Sequence, residues 1–113
     1  KYSHKITMRN TLCGDKITLE IISNGKIINS MKYETTACIY CDASASLLSQ
    51  KIKNKSVKNL INDFNTLKKV SKERKIKIPN KYSEFRKLLN SDNFSRFKCI
   101  FLPFDAVIKA LKL

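Results

Sequence analysis

The chain has 113 residues, 42% of them hydrophobic, which suits one modest core rather than two. No apolar run approaches bilayer length, and the most hydrophobic stretch, residues 99–104, is interrupted by Pro103, so no membrane association is expected. The net charge of +14 raises nucleic acid as a partner, but 19 of the 23 basic residues are lysines scattered among Ile and Asn, a compositional bias that makes nucleic acid the less favoured partner.

Residues 4–33 alternate as antiparallel β structure does, with apolar side chains at Ile6 and Met8, at Ile17, Leu19 and Ile21, and again from Ile28 to Met31 and Tyr33. Asn24-Gly25 predicts a two-residue type I′ hairpin, because both residues tolerate positive φ. Cys13-Gly14-Asp15 falls in the turn between the first two strands. Asp42 then reads as the cap of a helix through Ala43-Ser44-Ala45-Ser46-Leu47-Leu48, with Cys38 at or just before its start.

A second helix follows from about Ser56, with Val57, Leu60, Ile61, Phe64, Leu67 and Val70 on one stripe. A basic connector over residues 72–79 leads to a shorter third helix carrying Tyr82, Phe85, Leu88 and Leu89. Residues 94–113 read as a last helix with Cys99 near its first turns, kinked or divided at Pro103. The densest basic run, residues 68–77, reads as a surface able to dock an acidic protein partner. The expected architecture is α+β: a three-stranded antiparallel sheet followed by about four helices packed on it, in a single domain over residues 1–113. The chain opens on Lys1 without a methionine, so a preceding N-terminal segment is expected.

The chemistry rests on four cysteines, Cys13, Cys38, Cys41 and Cys99. Two disulfides would suit a turn-rich secreted scaffold, whereas two Gly, two Pro and long periodic patterns favour a reducing compartment. The expected location is therefore the cytoplasm, with an organelle left open by the missing start. Thiolates bind zinc and iron, and Asp15, two residues after Cys13, can complete a tetrahedral set. Cys13 in a turn, Cys38 at a sheet-to-helix junction and Cys99 on a late helix are elements that an α+β fold can gather at one edge of the sheet. A zinc ribbon would supply two close pairs, and here only Cys38 and Cys41 are close.

Cys41 reads three ways: a fifth, extra ligand, a redox pair with Cys38, or a small buried residue. Arg96 reads as a group that steers a partner or tunes Cys99, or simply as an exposed arginine. His4, the lone histidine, is a solvated strand residue.

Three stretches carry a resemblance: Asn10-Thr11-Leu12-Cys13-Gly14-Asp15; residues 37–46, Ala-Cys-Ile-Tyr-Cys-Asp-Ala-Ser-Ala-Ser; and Arg96-Phe97-Lys98-Cys99 followed by Asp105-Ala106. In this order they resemble the U-type iron–sulfur cluster assembly proteins, IscU, SufU and the N-terminal domain of NifU, over about residues 10–113. The 61-residue separation of Cys38 from Cys99, and Lys98 where IscU proteins carry histidine, look like the SufU branch.

The resemblance implies that Cys13, Asp15, Cys38 and Cys99 form the site, holding Zn²⁺, a nascent 2Fe–2S cluster, or each in turn. It implies a scaffold or a sulfur acceptor, with sulfurtransferase activity left open. It further implies a cysteine desulfurase as partner, Cys99 as persulfide acceptor, and downstream cluster carriers. Cys41 departs from the family pattern, where a serine or another small residue is usual. Two other classes stand beside this reading. One is a structural-zinc module contacting nucleic acid, and the other is a thiol redox protein using Cys38 and Cys41.

Overall fold

The computed structural model describes residues 3–10, 14–73 and 76–112; Cys13 and Arg74 lie outside the described residues. Strands β1 (His4–Asn10), β2 (Asp15–Ser23) and β3 (Ile28–Thr36) form an antiparallel sheet in the order β1-β2-β3. The alternation read from the sequence sets its faces. On the central strand Ile17, Leu19 and Ile21 are fully buried, and the half-buried Ile6 and Met8 of β1 pack against the same core.

The hairpin between β2 and β3 differs from expectation. Residues 24–27 lie between the strands, and of the central pair only Gly25 has positive φ (92°). A type I′ turn needs positive φ at both positions. Here the Asn24 side chain supplies the turn instead, its Oδ1 accepting from the amides of Lys26 and Ile27, both at 2.9 Å. The register shift between Ile22 and Ser23 accommodates the longer loop.

Helix α1 (Ile39–Lys51) starts three residues before the expected Asp42 cap, with Cys38 as its N-cap. Asp42 lies in the first turn and accepts from Thr35 Oγ1 at 2.9 Å, which ties the helix to the end of β3. Cys41, Ser44, Ala45 and Leu48 are its buried residues, at the spacing of one helical face. Helix α2 (Val57–Val70) matches its predicted stripe, burying Val57, Leu60, Phe64 and Leu67, and Ser56 caps it by accepting from the Asn59 amide.

Two 3-10 segments, Asn80–Phe85 and Ser91–Arg96, stand where a short third α-helix and the start of the last helix were expected. Asparagine side chains account for the break. Asn90 Oδ1 accepts from the Asp92 amide, and Asn93 Nδ2 donates to the carbonyls of Lys87 and Leu88, so the backbone is satisfied without α-helical bonds.

Of the kink or division expected at Pro103, the division does not occur: helix α3 (Phe97–Ala110) runs through it as one helix. Pro103 has no N–H to return to the Cys99 carbonyl. The helix holds across that gap because it is apolar nearly all round, with Phe101, Leu102, Phe104, Ala106 and Val107 all buried. Phe104 is the centre of the core: its ring lies 4.8 Å from Phe64, 5.2 Å from Phe85 and 5.3 Å from Phe101, each edge-on.

Candidate metal centre

The sheet register places the carboxylate. Asp15 opens β2 opposite Asn10, and its neighbour Lys16 pairs with Thr36, the last residue of β3. The chain leaves β3 through Ala37 into Cys38, so Asp15 and Cys38 meet at one corner of the sheet. A carboxylate only 2% exposed needs partners, and the Cys38 amide donates to its Oδ1 at 2.9 Å. That bond orients the second oxygen: Oδ2 lies 3.5 Å from Cys38 Sγ.

Cys99 arrives from the other side, in the first turn of α3, and is 3% exposed. Its placement depends on the packing of α1 against α3. The fully buried Ser44 donates from Oγ to the carbonyl of Ile100 at 2.5 Å, pinning the turn that carries Cys99 to the middle of α1. As a result a ligand atom from each of Asp15, Cys38 and Cys99 lies within 4.8 Å of the others.

This donor set suits zinc. Bonds of about 2.3 Å to sulfur and about 2.0 Å to oxygen, at the tetrahedral angle, span a sulfur-to-oxygen edge of about 3.5 Å. The Asp15–Cys38 separation is 3.5 Å. The amide on Oδ1 is the kind of outer contact that fixes a ligating carboxylate in a one-oxygen mode. Two thiols also suit iron and sulfide, and three described ligands leave a tetrahedral position for a fourth.

Of the residues expected at the site, the structure gathers Asp15, Cys38 and Cys99. Cys13 lies outside the described residues. Cys41 is fully buried in the core beside Ala45 and Leu48 and is not one of the three gathered groups. His4 sits on β1, where its Nδ1 is 2.9 Å from Ser3 Oγ. Arg96 is exposed and stacks its guanidinium over Tyr40 at 5.7 Å, a bridge between the start of α3 and the first turn of α1.

Ser44 is the site-shaping residue that the sequence reading passed over. The signal was present: its position falls on the same helical face as Cys41, Ala45 and Leu48, and a hydroxyl on a buried face needs a partner across the interface. Recognising it required the helix to start at Ile39 rather than after Asp42.

Residues 2–90 match the NifU-like N-terminal domain family. The chain belongs to that family. As a NifU-like N-terminal domain it is 28% identical over 110 residues to the iron–sulfur cluster assembly scaffold protein IscU of Thermotoga maritima, a match covering 92% of this chain and 73% of that protein. It is 36% identical over 56 residues to the zinc-dependent sulfurtransferase SufU of Bacillus subtilis; that match covers 50% of this chain and 38% of SufU.

The fold of this NifU-like domain is shared with solved structures. The N-terminal part of a NifU-like protein from Brucella abortus superposes with a TM-score of 0.87 at 18% identity, covering 99% of this chain and 78% of that one. A SUF-system iron–sulfur cluster assembly scaffold protein from Fervidobacterium islandicum gives 0.80 at 23% identity, covering 98% and 82%.

Proposed function

We propose that the protein acts in iron–sulfur cluster assembly, as a scaffold and as a zinc-dependent acceptor of persulfide sulfur from a cysteine desulfurase. The observation that carries this reading is the convergence of Asp15, Cys38 and Cys99, from a strand end, a helix N-cap and a distant helix, within 4.8 Å. Cys13 is the fourth ligand in this reading, and Zn²⁺ or a 2Fe–2S cluster occupies the same residues.

In the transfer step the Cys99 thiolate attacks the outer sulfur of the donor's persulfide. A new S–S bond forms at Cys99, the donor's S–S bond breaks, and the donor cysteine leaves as a thiolate with no net change of oxidation state. Asp15 is the hardest ligand of the set and the one suited to yield its place to an incoming sulfur. The protein works in a reducing compartment such as the cytoplasm, and hands its product to downstream cluster carriers.

The test is elemental analysis and absorption spectroscopy of protein purified without oxygen, followed by incubation with a cysteine desulfurase and cysteine. Expected are one zinc per chain or the visible absorbance of a cluster, and a mass gain of one sulfur that Cys99→Ser abolishes. Sulfur acceptance that persists in Cys99→Ser refutes the acceptor assignment.

A further inference from the structure

Cys99 lies on the wall of a groove of about 980 Å³ formed between the end of β1, the C-terminal turn of α2 and the start of α3. Five cationic side chains line it, Arg9, Lys68, Lys72, Arg96 and Lys98, against the single carboxylate of Asp105. Asp105 is already paired with Lys68. Among the described residues no ion pair reaches Arg9, Lys72, Arg96 or Lys98, and all four are exposed. They come from β1, the turn after α2, the second 3-10 segment and α3, so the fold concentrates charge that the sequence spreads out.

The groove also has an apolar side. Met8, Phe101 and Leu102 line it, and Phe94 stands at its rim 65% exposed. Of the exposed large hydrophobic side chains among the described residues, the two most exposed are Ile39 and Phe94. Ile39 follows Cys38 in the chain, and Phe94 shares the groove lining with Cys99. An exposed apolar rim next to uncompensated charge marks an interaction surface.

We infer that this groove receives an acidic segment, bearing an apolar anchor side chain, of a protein that exchanges sulfur at Cys99. That the occupant is a protein rests on the function proposed above; that it is acidic and apolar rests on the lining alone. Nucleic acid fits less well. Phe97 and Phe101 are each 8% exposed, which leaves Phe94 as the aromatic face open at the groove, whereas single strands stack on a series of such faces. Methionine and leucine walls beside a phenylalanine suit an aliphatic or aromatic side chain inserted between them.

The experiment measures fluorescence anisotropy of a fluorescein-labelled peptide of glutamates interrupted by phenylalanines, titrated with the full chain at several salt concentrations. Two competitors are used: the same peptide with lysines for glutamates, and a single-stranded oligonucleotide. Binding should weaken with salt, and Lys72→Glu with Arg96→Glu should weaken it by at least about tenfold, as reversal of close interfacial charges does.

Phe94→Ser should weaken binding while leaving the salt dependence unchanged. Lys53→Glu with Lys55→Glu, the same charge change just beyond the C-terminal end of α1, should have no effect. Absence of binding, equal loss in that variant, or displacement by the oligonucleotide in preference to the peptide overturns the inference. Zinc content and sulfur acceptance are measured on the same variants. If the peptide fails to bind while Cys99 still accepts sulfur, the groove assignment falls and the proposed function stands.

Discussion

Asp15 holds Cys38 twice, accepting its backbone N–H on Oδ1 at 2.9 Å and facing its sulfur with Oδ2 at 3.5 Å. One carboxylate thus serves both the fold and the candidate metal site. The first contact satisfies an amide at a helix N-terminus, and the second sets a ligand-to-ligand distance.

Two substitutions separate these roles. Asp15→Asn retains an oxygen acceptor for the Cys38 amide but loses the charge, so stability should change little while zinc affinity drops by about tenfold or more. Asp15→Ala loses both and should in addition cost about 1 kcal/mol, for a half-buried donor left without its partner. Denaturant unfolding reads the first quantity and competition with a chelator reads the second. Equal stability of the two variants would separate the amide contact from folding.

Ser44→Ala removes the hydroxyl that links α1 to the Ile100 carbonyl. The expected loss is about 1 kcal/mol of stability, and a weaker metal site because the turn bearing Cys99 is no longer pinned. Chelator competition should show the second effect, and Ser44→Thr, which keeps the hydroxyl, should partly restore it.

Phe104 touches three aromatic rings from α2, the first 3-10 segment and its own helix. Phe104→Ala should cost about 3–5 kcal/mol, through lost burial and the cavity left behind, and Phe104→Leu clearly less. Thermal or urea unfolding of the two variants checks this order.

Tyr82 gives a dependence on alkaline pH. Burial pushes its pKa well above the ordinary tyrosine value, and the hydrogen bond of 2.9 Å to Asp63, with the negative charge of that carboxylate, pushes the same way. The native state therefore keeps the proton where the unfolded chain, with a pKa of about 10, releases it. The contribution of Tyr82 is fully present below about pH 10 and is lost as pH rises beyond it. Tyr82→Phe should be less stable at neutral pH, by about 1 kcal/mol. It should also lose stability less steeply than the parent between about pH 10 and 11, in urea unfolding across that range.

Much of the fold was legible because strands and amphipathic helices announce themselves through period. Ile17, Leu19 and Ile21 alternate, and Val57 to Val70 repeat at helical spacing, since one face of each element must leave water. The errors fell where side-chain hydrogen bonds outweigh period. Asn24 built its own turn, Asn90 and Asn93 broke a helix into 3-10 segments, and Asp42 tied itself to Thr35 instead of capping α1. Such contacts depend on where a neighbouring element ends, and hydrophobic period does not carry that information.

By itself the sequence determined the three-stranded sheet, the long α2 stripe, the apolar last helix and the identities of the thiols and carboxylate. It also placed Asp15, Cys38 and Cys99 at one site through the resemblance, while the tertiary structure decided the geometry of their convergence, chose the buried reading of Cys41 and set Arg9, Lys72, Arg96 and Lys98 around one groove. The reason is geometric. A residue's chemistry is local, but its neighbours are fixed by sheet register, by the residue at which a helix begins, and by the packing of α1 against α3.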